Sequence, residues 1–478
     1  MNCATTDLSP YVPDMAMPWN QSRAIHLFRR IGFGTDIDTV LAALSQSPAD
    51  VVDQLVQEAV DLPLSPVPDF ADKVFADYGL AVLESTLEKD GWARDWIREL
   101  QNNGLRGRMA LFWHNHFVTR FDVYLSSSYL YQYHKLLQTH ALGNFKEFVR
   151  EIGLTPAMLV FLNGVENVAT SPNENYAREV YELFTLGVDN GYTQNDIVET
   201  ARALSGFTNV PEQWGPILFD PATHDGGMKT IFGQTGNWGY EEVVEILFEQ
   251  RAPQIAEFIA TKLYRHFVNP VVDELVVQEL AAVFQDNDWE IAPLLSALFK
   301  SAHFFDTFNM STIIPGHLEH TLIFLNEMNV EVSGLSVLGI YGDLINNGQP
   351  IFNPVDVAGW PGNRAWINTT SIGYRWNYVE SQLGLITIFN FGYLAELVTK
   401  ITDEEFDVEI VCRDLIHYFL PKGLQFEQDY DAALVNFKGE IPENYFEDGT
   451  WTVNYWAMPF QLNGLLKFIN RMPEYQLK

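Results

Sequence analysis

The run Leu111–Arg120, LFWHNHFVTR, sets two histidines two residues apart inside an apolar, aromatic segment, and how it is read decides the fold. In a helix each residue advances about 100° around the axis. Leu111, His114, Phe117, Val118 and Phe121 then share one stripe, and His116 falls with Met109, Phe112 and Trp113 on nearly the opposite side. A strand would bring the two imidazoles together, because alternate residues share a face. The preceding Arg108-Met109-Ala110-Leu111 is better helix material, so the spacing predicts a helix over about 105–121. Two imidazoles on opposite faces cannot meet one metal ion, and the HExxH arrangement is absent. Either these are hydrogen-bonded core histidines, or His114 or His116 joins ligands from elsewhere in the chain.

Working outward, the pattern stays helical. SRAIHLFRRIGFG places Ile25, Leu27, Phe28 and Ile31 before Gly32 and Gly34, a plausible helix stop. Ser47-Pro48 opens the next helix, with proline just inside its start. Further helices are expected at about 126–141, 144–153, 156–162, 172–187 and 194–205, and the short connections favour antiparallel neighbours. Two segments break the rhythm. Residues 206–239 are rich in Gly, Pro, Asn and Asp and read as a long structured loop or small hairpin; residues 340–376 include three tryptophans, Trp360, Trp366 and Trp376. The expectation is a mainly α protein, a multi-helix globular bundle with long irregular Gly/Pro/Trp-rich insertions. Its parts are an N-terminal extension (1–20), a main helical domain (21–400) and a C-terminal extension (401–478) packed on it.

With 62 acidic against 29 basic residues, the net charge of −33 repels a phosphate backbone, so nucleic acid is not an expected partner. Only Cys3 and Cys412 are present, which leaves no disulfide framework and no cysteine zinc site. No apolar run approaches about 18 residues and the start has no leader pattern, so no membrane span and a cytoplasmic location are expected.

Three further stretches could carry chemistry. In SPNENYAREVYELFTLGV (171–188), Tyr176, Ala177, Val180, Leu183 and Phe184 form an apolar stripe, and Glu174, Arg178 and Glu182 line the other side with Glu179 beside them. That face is either a solvated acid–base–acid ladder or an inward carboxylate cluster able to hold a divalent cation or move protons. In HDGGMKTIFG (224–233), His224 and Asp225 precede two glycines and Lys229. The loop either offers backbone N–H groups and a lysine to an anion or simply folds back on the helices. In FNPVDVAGWPGNRAW (352–366), the tryptophans either stack on a ligand or pin the segment by burial. No GxSxG elbow, Walker loop or dinucleotide fingerprint occurs.

In chain order, HLFRRIGFG (26–34), RMALFWHNHFVT (108–119), PNENYAREVYELFTLGV (172–188), HDGGMKTIFG (224–233), KLYRHFV (262–268) and FNPVDVAGWPG (352–362) resemble the bacterial "domain of unknown function 1800" family. The resemblance implies a mainly helical protein, some of whose relatives are exported. It also implies a gene neighbourhood that often holds a sulfatase- or phosphatase-like protein, a possible partner. It carries no established catalytic residues. The functional expectation is a hydrolase-type enzyme with a His/carboxylate centre of the kind that can bind a divalent metal ion. Its candidate metal ligands are His114, His116 and His224, and its candidate catalytic groups are Glu174, Arg178, Glu179, Glu182, Asp225 and Lys229. The alternative is a non-catalytic binding or assembly protein.

Overall fold

The computed structural model describes residues 6–478, so Cys3 lies outside the described residues, and Cys412 is a buried free thiol. Among the described residues there are 24 α-helices and one two-stranded antiparallel hairpin, which makes the body mainly α. The helices that position the site are α1 (Gln21–Ile31), α2 (Ala81–Asn102), α3 (Gly104–His114), α4 (Glu174–Glu179), α5 (Gln194–Ala203), α6 (Ala252–Phe267), α7 (His317–Glu327), α8 (Thr369–Phe389), α9 (Phe391–Ile401) and α10 (Met458–Ile469). The hairpin pairs β1 (Lys229–Ile231) with β2 (Gln234–Gly236) inside the 206–239 insertion.

One continuous apolar core runs from Tyr11 to Ile469. Helix α3 lies inside it, with every residue from Leu105 to His114 buried. Arg106 and Arg108 are buried along with its apolar residues, and α3 packs against both α1 and α2. The expected two stripes of this segment are thus both covered. Helix α1, capped by the Asn20 side chain on the Arg23 N–H, buries the guanidinium of Arg29 against Glu327 of α7, Nε to Oε1 at 2.5 Å and Nη2 to Oε2 at 2.8 Å.

The helix expected over 105–121 stops at His114, and the chain re-enters a helix only at Phe121–Tyr124. Tertiary hydrogen bonds set the stop. Asn115 caps the helix, and its carboxamide accepts from the Trp360 N–H (2.6 Å) and donates to the Trp360 carbonyl (3.3 Å). His114 Nε2 accepts from the Phe352 N–H (3.1 Å), and the Phe352 carbonyl accepts from the Phe121 N–H (3.0 Å). Phe352 sits at φ 65, a region unfavourable for a bulky side chain and held only when the surroundings over-determine it. The second irregular segment is narrower than 340–376, because helix occupies Ser336–Asn346 and α8 begins at Thr369. Trp360 and Trp366 are both buried.

No single described helix is long and apolar enough to cross a membrane; α8 and α9 pass such a test only together, across a 103° bend.

Gly359 has φ 84, and a Cβ there would stand 2.4 Å from Asn115 Oδ1 and 2.7 Å from its carbonyl oxygen. Gly359→Ala should therefore cost about 1–3 kcal/mol of stability. Gly384→Ala, in the open middle of α8 with no neighbour within 4 Å, should instead stabilise by up to about 1 kcal/mol. Denaturant midpoints of the two variants moving in the same direction would contradict this account of the Asn115 contact.

Candidate functional site

Three consecutive side chains at the end of α3 take three different partners. His114 and Asn115 hold the 352–360 segment, as described above. His116, one residue past the helix cap, turns the other way. Its Nε2 donates to the Phe184 carbonyl (3.0 Å), and its Nδ1 accepts from Lys262 Nζ (2.9 Å). The donor at Nε2 is fixed by a carbonyl that can only accept, so Nδ1 is left with a lone pair for the ammonium.

The partner carbonyls come from an unusual turn. After α4 the chain widens into a π-helical stretch, Val180–Thr185, in which the Tyr181 carbonyl accepts from the N–H groups of Leu186 (2.8 Å) and Gly187 (3.0 Å). Such widened turns release carbonyls from the regular ladder and often lie at functional sites. Here Leu183 O and Phe184 O point to Lys262 (3.3 Å) and His116. The 172–188 segment thus reaches the histidine through its backbone and not through its carboxylates.

Lys262, Arg265 and His266 are spaced i, i+3, i+4 on α6 and share one face. All three line a cavity of about 400 Å³, whose wall also includes His116, Glu319, Lys478 and Trp360. Glu319 lies in the first turn of α7, where Oε1 meets Arg108 (2.9 Å) and Oε2 meets Lys478 Nζ (2.9 Å). Arg108, fully buried on α3, also donates from Nε to His266 Nε2 (3.1 Å). Three lining side chains are basic, Lys262, Arg265 and Lys478, and a buried arginine stands behind them; the lining carboxylate that answers them is Glu319.

Burial sets the protonation of this region. Desolvation brings the Lys262 ammonium down to about 8. It holds His116 and His266 well below the ordinary imidazole value, and the positive charge of Lys262 and of Arg108 respectively adds to the effect. Burial alone takes His114 to about 3. These imidazoles are neutral hydrogen-bonding groups at neutral pH.

The remaining sequence candidates lie elsewhere. Of the nine, only His116 lines the cavity. Arg178 forms the ladder with Glu174 (3.1 Å) and Glu182 (3.2 Å), and the three side chains are 36%, 39% and 21% exposed, a solvated face. Burial, with the neighbouring Glu182 charge, raises the Glu179 carboxyl. Asp225 pairs with Arg202 of α5 (2.7 Å), and His224 Nδ1 donates to the Ser205 carbonyl (2.9 Å). Lys229 donates to the carbonyls of Asp225 (2.5 Å) and Gly227 (3.1 Å), so the glycine loop folds around its own lysine and does not present it outward. Among the described residues no three His, Cys, Asp or Glu side chains are grouped to hold a metal ion. His114, His116 and His224 are kept apart because each has a ring nitrogen committed to a different segment.

Lys262, Arg265, His266, Glu319, Lys478 and Arg108 were absent from the sequence candidates. The signal for the first three was present in KLYRHFV, three basic side chains on one face of an otherwise apolar helix. For Glu319 and Lys478 no local pattern exists.

Fold and site together define an all-α protein with a basic cavity set into its core. The chain belongs to the family described as "Protein of unknown function (DUF1800)", whose match covers residues 26–477. No curated protein and no solved structure matches it.

Two stability predictions follow from this geometry. Arg178→Ala should change stability by less than about 1 kcal/mol, as exposed pairs do. Glu319→Ala, which leaves Arg108 and Lys478 buried without a counter-charge, should cost about 3–5 kcal/mol. Comparable midpoint shifts for the two variants would contradict the assignment of one face as solvated and the other as buried. The depressed histidines make stability pH-dependent. Their folded values lie below the unfolded 6.5, so the unfolded chain binds more protons. Stability is fully present above about 6.5 and falls as pH drops toward the folded values, reaching about 3 for His114. A His114→Gln variant should show a shallower loss between pH 6.5 and 4 in urea titrations; an unchanged slope would sink this assignment.

Proposed function

We propose that the cavity between α3, α6 and α7 is the active site of an enzyme acting on a small anionic molecule. The observation that carries this reading is the inversion of charge. The chain holds 62 acidic and 29 basic residues, yet the cavity wall sets Lys262, Arg265 and Lys478 against Glu319 alone. Lys262, half-buried and without a carboxylate partner, costs free energy in the empty protein that an entering anion recovers, and Arg265 stands exposed at the cavity mouth where it can meet the same anion. A volume of about 400 Å³ lies in the range of small-molecule sites.

Proton transfer in this reading belongs to Lys262, with His116 holding the ammonium in place from Nδ1. A lysine brought to about 8 can serve as a base near neutral pH, whereas an ordinary exposed lysine cannot. In a hydrolase of this kind the free amine would take a proton from an attacking water. A carboxylate centre has less support, since Glu319 already serves Arg108, Lys478 and the Gly316 N–H (3.2 Å). The cytoplasmic placement is part of this proposal and rests on the sequence alone.

A second reading, assembly with a sulfatase- or phosphatase-like partner, is favoured by one surface. Ile388, Phe389, Trp456 and Phe460 are exposed, with the Phe391 and Phe460 rings 5.5 Å apart and Trp456 at 6.4 Å from Phe460. Exposed apolar clusters of this sort commonly mark contact sites.

Sulfate, which does not titrate near neutrality, tests the first reading. Calorimetry at pH 7 should give saturable binding at one site, weaker at pH 9 because Lys262 loses its charge on passing 8. Arg265→Ala should weaken binding by about tenfold, the usual worth of one charged hydrogen bond. No saturable binding at pH 7, or equal affinity in Arg265→Ala, would overturn the reading.

A further inference from the structure

Several buried lysines occur in this fold, and their partners distinguish them. Lys89 meets Asp90 (2.6 Å) and the Tyr341 hydroxyl, Lys478 meets Glu319, and Lys229 is enclosed by the carbonyls of its own loop. Lys262 is different. It lines the cavity, and the groups it meets are neutral: His116 Nδ1, the Leu183 carbonyl and the face of the Phe258 ring, 4.9 Å from Nζ to centroid. None of the ion pairs among the described residues includes it. Arg265 stands one turn away on the same helix face, at the same cavity wall.

We propose that Lys262 is a covalent nucleophile, forming an imine with the carbonyl carbon of a small oxo acid whose carboxylate is held by the neighbouring cations. This rests on the reading of the cavity as a site for a small anion and names the substrate class, an aldehyde or ketone bearing an acidic group. A desolvated lysine beside other cations is a setting that frees the amine for attack on carbonyls. Neutral hydrogen-bond acceptors orient the nitrogen without pinning it as an ammonium, which a carboxylate partner would do.

The step balances without a further reactant. The ammonium releases a proton to solvent, and the amine lone pair forms a C–N bond while the carbonyl π electrons move to oxygen. The nitrogen then gives up one proton and oxygen takes two, one from the nitrogen and one from solvent; the nitrogen lone pair forms the C=N bond as the C–O bond breaks and water leaves. The net change is oxo acid plus Lys262 ammonium giving protonated imine plus water, with one positive charge on each side. His116 is a positioning residue here. Its Nε2–H on the Phe184 carbonyl fixes the ring, and its Nδ1 aims Nζ.

Reductive trapping reads this directly on the full chain. Wild-type protein is incubated with glyoxylate or pyruvate and cyanoborohydride at pH 8, and adducts are mapped by peptide mass spectrometry. The expected result is preferential labelling of Lys262, on the order of tenfold or more faster than Lys400, because a value near 8 leaves far more free amine than a lysine raised by its bonds to Asp38 and Glu396. Sulfate should compete with the labelling. Lys262→Arg should lose the adduct, and its fold is checked by the denaturant midpoint. If that variant is unfolded, the wild-type map still decides the matter. Labelling spread over exposed lysines, or none at Lys262 while sulfate binds saturably, overturns the imine and leaves the anion site standing. Failure of sulfate to bind overturns the anion site itself, and the imine inference falls with it.

Discussion

Three side chains at one helix end hold this protein's working parts together. His114 accepts from the Phe352 N–H, Asn115 takes both polar groups of the Trp360 backbone, and His116 bridges the Phe184 carbonyl to Lys262. Each bond is buried or half-buried, where an unmade partner costs more than a made bond gains. The irregular 352–366 segment has no ladder of its own to satisfy its backbone, so it depends on these side chains for its path. That path forms one wall of the cavity, with Trp360 and Trp366 among its lining residues. The histidines act here as hydrogen-bonding groups, and burial keeps them neutral.

Charge is the second organising constraint. An acidic protein gains solubility from a carboxylate-rich surface, and the Arg178 ladder belongs to that surface. The interior is the reverse. Arg30 is fully buried and bonded to the carbonyls of Phe267, Val268 and Asn309, with burial bringing it down to about 9; Arg375 donates to the Pro315 carbonyl and is brought to about 10. Backbone carbonyls orient these guanidinium groups but cannot neutralise them. Around the cavity one carboxylate, Glu319, serves Arg108 and Lys478 at once. A buried region with this imbalance is stable only because the surrounding apolar core pays for it, and it is poised to accept negative charge.

The π-helical stretch links these two features. A regular helix through 180–185 would have used its carbonyls on its own N–H groups. The widened turn sends Leu183 O and Phe184 O to Lys262 and His116 instead, which places a neutral acceptor set around a lysine that another environment would have paired with an acid. Glu174 and Glu182 of the same segment meet Arg178 on the solvated side, so the chain divides these polar groups by direction: backbone inward, ladder outward.

The sequence by itself determined the helical body, the two irregular insertions and the i, i+4 spacing of Glu174, Arg178 and Glu182, because each follows from local spacing along the chain; that this face is solvated was decided by packing. It also carried HNH at 114–116 and the basic face of KLYRHFV in plain view. It did not carry their meaning. Whether α3 stopped at His114 or ran on to Phe121 was settled by Trp360, some 245 positions away from Asn115. Whether Lys262 met an acid or an imidazole was settled 146 positions away. Helical periodicity is local, but the cavity joins residues from 111 to 478. Only packing of the whole core brings those groups together, and burial there gives Lys262 and the histidines protonation states that no spacing encodes.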